Sequence, residues 1–114
     1  MLRIIRVPIS REDIRRLAEE SFGDLVKAVV DLGRGIMAVG GELHADEEAA
    51  LLEDGSRQTD LWGINLYPSM EGAGWIEYDS MINIRPSQGN RSREVQDVET
   101  RQRISRVVNT LICD

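Results

Sequence analysis

The stretch best suited to binding a ligand is RPSQGNRSR, residues 85–93. Its only apolar side chain is the proline. Arginine pairs with carboxylate and phosphate groups in a planar, two-pronged geometry, and Gly and Asn allow the backbone N–H groups of a turn to converge on an anion. The polarity is also that of any solvated loop. We predict an anion-binding loop with ligand groups from Arg85, Ser87, Gln88, Asn90, Arg91 and Arg93.

A second candidate surface is the polar side of a hairpin predicted to join residues 61–67 to residues 76–85. Successive side chains of a strand point to opposite faces. The apolar face would carry Trp62, Ile64, Leu66, Ile76, Tyr78, Ile82 and Ile84. The polar face would carry Asn65, Glu77, Asp79, Asn83 and Arg85. In the expected register Leu66 lies opposite Ile76, and Asn65 opposite Glu77. The polar row is either a binding floor that adds Asn65 and Asn83 to the site, or the solvated side of a half-exposed sheet.

The only histidine, His44, lies in the run GGELHADEE among four carboxylates. Imidazole and carboxylate are common ligands of zinc, manganese and iron, and the pair also suits acid–base catalysis. In a strand, Glu42 and His44 would share a face as two ligands of one ion, but a site needs at least three. The acids also fit a helix start, with Asp46 as the cap and Glu47 and Glu48 in the first turn. No metal site is predicted, and His44 and Glu42 are the only candidates.

The elements that position these residues follow from hydrophobic periodicity and from turn residues. A strand at residues 2–7 precedes a helix capped by Ser10, whose apolar stripe ends before Gly23. Residues 24–31 fit a strand or an extension of this helix, and their β-branched residues favour the strand. With its partner at residues 36–39 it would form a hairpin. A second helix ends at Gly55, and Asp97 would cap the last one.

The predicted order of elements is β-α-β-β-α-β-β-α. This order indicates an α+β fold: a small antiparallel or mixed sheet of about five strands, with the helices packed mainly on one face. The length of 114 residues fits a single domain spanning residues 1–114.

Composition excludes several classes of site. The one cysteine, Cys113, cannot form an internal disulfide framework or a cysteine-based zinc site. Neither a phosphate-binding Walker loop nor a dinucleotide fingerprint is present, so the sequence does not identify a cofactor. The net charge of −6 makes nonspecific nucleic-acid binding unfavourable. No apolar run approaches the length of a membrane span and no signal peptide is recognisable, which predicts a cytoplasmic protein without a membrane partner.

Three stretches, GIMAVGGELHADEE, DLWGINLYP and DSMINIRPSQGNRSR, together resemble a family of short prokaryotic proteins described only as a domain of unknown function. The resemblance extends from near Val7 to Ile112. It implies no activity, cofactor or site residue, so function has to be argued from the residues themselves.

The sequence leaves three hypotheses. The favoured one is a small binding or regulatory module, without enzyme activity, that takes an anionic ligand or the acidic segment of a partner on the polar face and Arg-rich loop. The second is a hydrolase-like or metal-assisted enzyme that uses His44, Glu42, Glu77 and Asp79. The third is a homodimer formed through the polar face or an exposed strand edge.

Overall fold

The computed structural model describes residues 1–114 and has the predicted α+β fold. The helices are α1 (Arg11–Glu20), α2 (His44–Glu53) and α3 (Val98–Leu111). The strands are β1 (Arg3–Ile5), β2 (Ile9–Ser10), β3 (Val26–Asp31), β4 (Ile36–Val39), β5 (Leu61–Leu66), β6 (Ile76–Glu77) and β7 (Ile112–Cys113). Short 3₁₀ helices cover Gln58–Asp60, Gly72–Trp75, Met81–Asn83 and Pro86–Gln88. None of the helices has the length and apolar character needed to cross a membrane.

Five strands form one antiparallel sheet in the order β1-β4-β3-β5-β6. The predicted hairpin register is confirmed, since Leu66 lies opposite Ile76 and Asn65 opposite Glu77. On the other side of β5, Asn65 lies opposite Lys27 of β3. The sequence did not predict the separate parallel pair of β2 and β7, because two residues per strand give no recognisable periodicity.

The sheet is covered on both faces. Helices α1 and α3 pack on one face, where Ala28 and Ile64 join the larger apolar cluster. Helix α2 covers the other face through Leu51, which packs with Val29 and Leu61. Two of the three helices therefore share a face, and the third buries the side of β5 that the alternation pattern assigned to solvent.

Helix starts were predicted correctly in two of three cases. The hydroxyl of Ser10 caps α1 and the carboxylate of Asp97 caps α3. The prediction that Asp46 caps α2 was wrong, because α2 begins at His44 without a side-chain cap. A buried side chain holds the start of this helix instead: Oε2 of Glu47 accepts a hydrogen bond from the Gly41 N–H at 2.9 Å.

The second strand of the central hairpin is much shorter than predicted. After β6 the chain turns into the Met81–Asn83 helix, which crosses β5 on the face covered by α2. The side chain of Asn83 makes the hydrogen bonds to β5 that a neighbouring strand would otherwise make. Its Oδ1 accepts from the Gly63 N–H at 2.8 Å, and its Nδ2 donates to the Gly63 C=O at 2.9 Å. Gly63 permits this close approach because a Cβ there would lie 2.5 Å from the Cβ of Ser80.

Candidate functional site

A cavity of about 460 Å³ lies beside the start of α2, on the face of the sheet that this helix covers. Its volume is in the range of small-molecule sites, about 300–1,000 Å³. The only lysine of the chain, Lys27, and the only histidine, His44, both line it. The other polar residues of the lining include Asn65, Tyr67, Glu77, Asp79 and Arg93.

The floor of the cavity is a polar row across three neighbouring strands. Lys27 of β3, Asn65 of β5 and Glu77 of β6 lie opposite one another in register. The Nδ2 of Asn65 donates to Oε1 of Glu77 at 2.8 Å and to the carbonyl of Asp79 at 3.2 Å. The hydroxyl of Tyr67 donates to the same Oε1 at 3.2 Å. Burial and the neighbouring Glu77 carboxylate raise the pKa of Tyr67.

Two groups of this floor form no hydrogen bond or ion pair within the protein. Asn65 is 9% exposed, and its Oδ1 is buried without a hydrogen bond. Lys27 is half-buried and takes part in none of the ion pairs of the protein. Its ammonium lies 5.3 Å from the centroid of the Phe22 ring, which is within cation–π distance.

His44 contributes a neutral imidazole to the cavity wall. Its Nε2 lies 2.7 Å from the carbonyl oxygen of Ile64. A carbonyl can only accept, so Nε2 carries the hydrogen and Nδ1 carries the lone pair. Burial lowers the pKa of His44, which keeps the ring neutral at pH 7. Nδ1 is neither hydrogen-bonded nor enclosed, and it is therefore free to accept a hydrogen bond or a proton.

At the mouth of the cavity, Arg93 forms a two-pronged ion pair with Asp79. The Nε–Oδ1 and Nη2–Oδ2 distances are 3.0 and 3.3 Å. The pair is partly solvated, since the Arg93 side chain is 55% exposed. It orients the guanidinium and compensates part of its charge.

Apolar side chains also border this cavity. Phe22, Leu43 and Met81 are 45%, 56% and 64% exposed, and all three line it. Leu25 and Ile82 add further apolar surface. The site therefore combines a polar floor with apolar surface, as small-molecule pockets commonly do.

Other residues of the predicted anion loop hold the fold together. The guanidinium of Arg85 stacks over Trp62, 4.3 Å from the ring centroid, and donates to the carbonyls of Gln58 and Leu61. Burial lowers the pKa of Arg85. Gln88 accepts from Arg85 at 3.1 Å and donates to the carbonyl of Thr59. These two side chains attach the loop to the start of β5.

Asn90 is also bound within the protein. Its Nδ2 donates to the carbonyls of Asn83, Ser92 and Glu94, and its Oδ1 accepts from the Gln96 N–H. Ser87 and Arg91 are exposed, and neither side chain forms a hydrogen bond or an ion pair within the protein. Of the eight residues predicted to bind a ligand, the cavity brings together Asn65 and Arg93 only.

The metal candidates do not form a ligand set. His44 lines the cavity, whereas Glu42 is exposed and lies outside it. No three His, Cys, Asp or Glu side chains are arranged to hold a metal ion. The cavity does bring His44 close to Glu77 and Asp79, the carboxylates of the predicted hydrolase-like site.

Sequence reasoning did not identify Lys27 as a candidate site residue, and it did not predict the hydrogen bond from Tyr67 to Glu77. Lys27 interrupts the apolar run of β3, and a charged residue between the buried residues Val26 and Ala28 was the available signal. Its relation to Asn65, which lies 38 positions further along the chain, depends on the pairing of β3 with β5.

Residues 3–111 match the family described as "Protein of unknown function (DUF5674)". No curated protein and no solved structure matches the chain. The match covers nearly the whole chain and agrees with the resemblance found in its sequence. The chain therefore belongs to the DUF5674 family.

Proposed function

We propose that the protein is a small binding module that takes a compact organic anion in the cavity beside α2. Lys27 is the anchoring cation, and Arg93 adds positive charge at the mouth. The observation that carries the proposal is that Lys27 lines the cavity and its ammonium has no carboxylate partner. A half-buried cation gains most from an incoming anion when no internal acid already neutralises it.

The charges around Lys27 support it as the residue that binds the anion. Asp79 is paired with Arg93, and Glu77 accepts hydrogen bonds from Asn65 and Tyr67. Both carboxylates are thus compensated by other groups. Lys27 remains the cation with no compensation of its own, and a carboxylate or phosphate would supply it.

The cavity favours a small ligand over the acidic segment of a protein partner. The arginines of residues 85–93 were expected to help bind such a segment, but they do not form one surface. Arg85 is bonded to the backbone, Arg93 is paired with Asp79, and Arg91 is exposed. The hydrolase-like alternative, with the free Nδ1 of His44 as a general base, stays a prediction.

Binding of 3-phenylpropanoate, which joins one carboxylate to an apolar ring, tests the proposal. We expect Lys27→Gln to weaken its affinity at least tenfold in isothermal titration calorimetry, because the ammonium is the main anion partner. Arg93→Ala should weaken binding a few-fold, since Asp79 already shares its charge. Arg91→Ala is the matched control: it removes an arginine of the same loop that does not line the cavity, and binding should not change.

Each variant needs a melting temperature near that of the wild type for the comparison to hold. The proposal is contradicted if Lys27→Gln binds 3-phenylpropanoate as tightly as the wild type. It is equally contradicted if Arg91→Ala weakens binding more than Arg93→Ala, because the anion would then lie on the loop outside the cavity.

A further inference from the structure

The sheet ends in two edge strands, β1 and β6, and only one of these edges is open. In β6 the N–H of Ile76 donates to the carbonyl of Ala73. Just after β6 the chain is covered by residues 93–95, where the Val95 N–H donates to the carbonyl of Tyr78 at 3.1 Å. At the opposite edge, β1 pairs with β4 on one side and with no strand on the other.

The hydrogen bonds of the neighbouring strands show which backbone groups of β1 point outward. The N–H of Gly40 donates to the carbonyl of Lys27, so these two residues form a hydrogen-bonded pair. Such pairs recur at every second position of an antiparallel ladder, which makes Ala38 and Val29 the next one. Ala38 therefore uses its N–H and C=O on β3. Its neighbour in β1, Ile4, points both of its groups away from the sheet.

We propose that two copies of the protein pair through β1 as antiparallel strands, with Ile4 of each copy opposite Ile4 of the other. Each outward N–H then donates to the outward C=O of its counterpart, and the two sheets become one continuous sheet. An open strand edge is a template for such pairing, because main-chain hydrogen bonds supply the affinity. A two-fold axis at Ile4 gives the closed symmetry of most homo-oligomers.

The residues of β1 and its flanks are complementary to themselves in this register, which favours a second copy as the partner. Arg3 lies opposite Ile5 of the second copy, and Arg6 lies opposite Leu2. No two arginines are therefore directly opposite, an arrangement that would weaken the pairing. The charge of Arg6 is also compensated within its own copy, because its guanidinium donates to Oδ1 of Asp54 at 2.6 Å.

Apolar side chains at this edge gain cover from the second copy. Leu2 and Ile4 pack against the smaller core cluster beneath α2 and are only partly buried. Ile5 points to the opposite face, where it is 3% exposed within the larger cluster. Directly opposite residues start from Cβ atoms about 4.5–5.5 Å apart, so the two Ile4 side chains meet. The contact joins the smaller core clusters of the two copies.

A charge at residue 4 tests this register, because the two-fold axis places residue 4 next to itself. We expect the wild type to have twice the monomer mass in light scattering at micromolar concentration. Ile4→Glu and Ile4→Lys should each be monomeric, since like charges then lie opposite each other. An equal mixture of the two variants should recover the dimer mass, because opposite charges then face each other.

Two further sets of variants complete the experiment. Ile84→Glu and Ile84→Lys are matched controls, because they make the same changes at an isoleucine that is 40% exposed and lies outside the strands; both should stay dimeric. Ile4→Pro removes the outward N–H, and proline is tolerated where the N–H of an edge strand faces solvent. It should be monomeric even if a charge at this position prevents folding. Circular dichroism melting curves identify the variants that fold.

Three results would overturn the inference. A monomeric wild type would leave the β1 edge to a strand of another protein. Folded Ile4 variants that keep the dimer mass would place the interface elsewhere. Folded Ile4→Glu and Ile4→Lys that stay monomeric when mixed would show that residue 4 does not lie opposite itself.

Discussion

At the scale of single residues, the most unusual group is the carboxyl of Glu47. The side chain is completely buried under α2, where Oε2 accepts the Gly41 N–H and Oε1 has no partner. Burial raises the pKa of Glu47 to about 9. The folded protein therefore keeps a proton on Glu47 at pH 7, whereas the unfolded chain releases it.

This proton makes stability depend on pH. Between pH 4.5 and about 9 the folded state binds the proton and the unfolded state does not. The free energy of unfolding should therefore fall as pH rises through this window, by up to about 1.4 kcal/mol per pH unit from this group. We expect Glu47→Gln, which keeps the shape without the charge, to reduce that slope in urea unfolding measured from pH 5 to pH 9.

Glu53→Gln is the matched control, because it changes an exposed carboxylate of the same helix. Its slope should equal that of the wild type. Equal slopes for Glu47→Gln and the wild type would show that the Glu47 carboxyl is ionised in the folded protein.

At the scale of elements, the crossing segment Met81–Asn83 forms part of the cavity wall. It covers β5, and Ser80, Met81 and Ile82 all line the cavity. Asn83 holds this segment by three hydrogen bonds, two to Gly63 and one to the carbonyl of Arg93. The same side chain therefore also fixes the backbone that carries Arg93.

We expect Asn83→Ala to lower the free energy of unfolding by about 3 kcal/mol, because it leaves the buried N–H and C=O of Gly63 without their side-chain partners. Asn109→Ala, the control, removes an exposed amide with one bond to Ser105 and should change stability by less than about 0.5 kcal/mol. Urea unfolding of the two variants measures the difference. Similar losses would mean that Asn83 does not hold the segment.

At the scale of the whole molecule, the two terminal regions are joined by β2 and β7. Ile9 pairs with Ile112 and Ser10 with Cys113, so the segment before α1 is bonded to the segment after α3. Ile112 is 5% exposed and belongs to the larger core cluster. Ile112, which directly follows α3, thus adds to the core and does not simply extend the helix.

Ile112→Ala should therefore lower the free energy of unfolding by about 2–5 kcal/mol, the usual cost of truncating a buried isoleucine. Ile84→Ala makes the same chemical change at a residue that is 40% exposed, and it should cost distinctly less. Denaturant midpoints measure both. An Ile112→Ala protein as stable as Ile84→Ala would show that the β2–β7 pair is not part of the cooperative fold.

The homodimer hypothesis is separate from these stability predictions. It stays a prediction, and light scattering would test it by measuring the mass of the protein in solution.

The sequence by itself determined the elements whose signals are local. Ser10 and Asp97 cap their helices through bonds to residues three positions ahead, and the alternation of Trp62, Ile64 and Leu66 marks one buried face of β5. Alternation also gave the register of Asn65 against Glu77, because the two strands are close in the chain. The α+β fold follows from the order of such elements.

Only the tertiary structure decided which polar groups line one cavity. Polarity predicted Arg85 and Asn90 as ligand groups, but a polar side chain can equally bond distant backbone, and both do so. Conversely, Lys27 and His44 meet in one cavity because β3 pairs with β5 and α2 begins above that pair. Such contacts depend on the packing of α2 against the sheet, and no local pattern of residues specifies that packing.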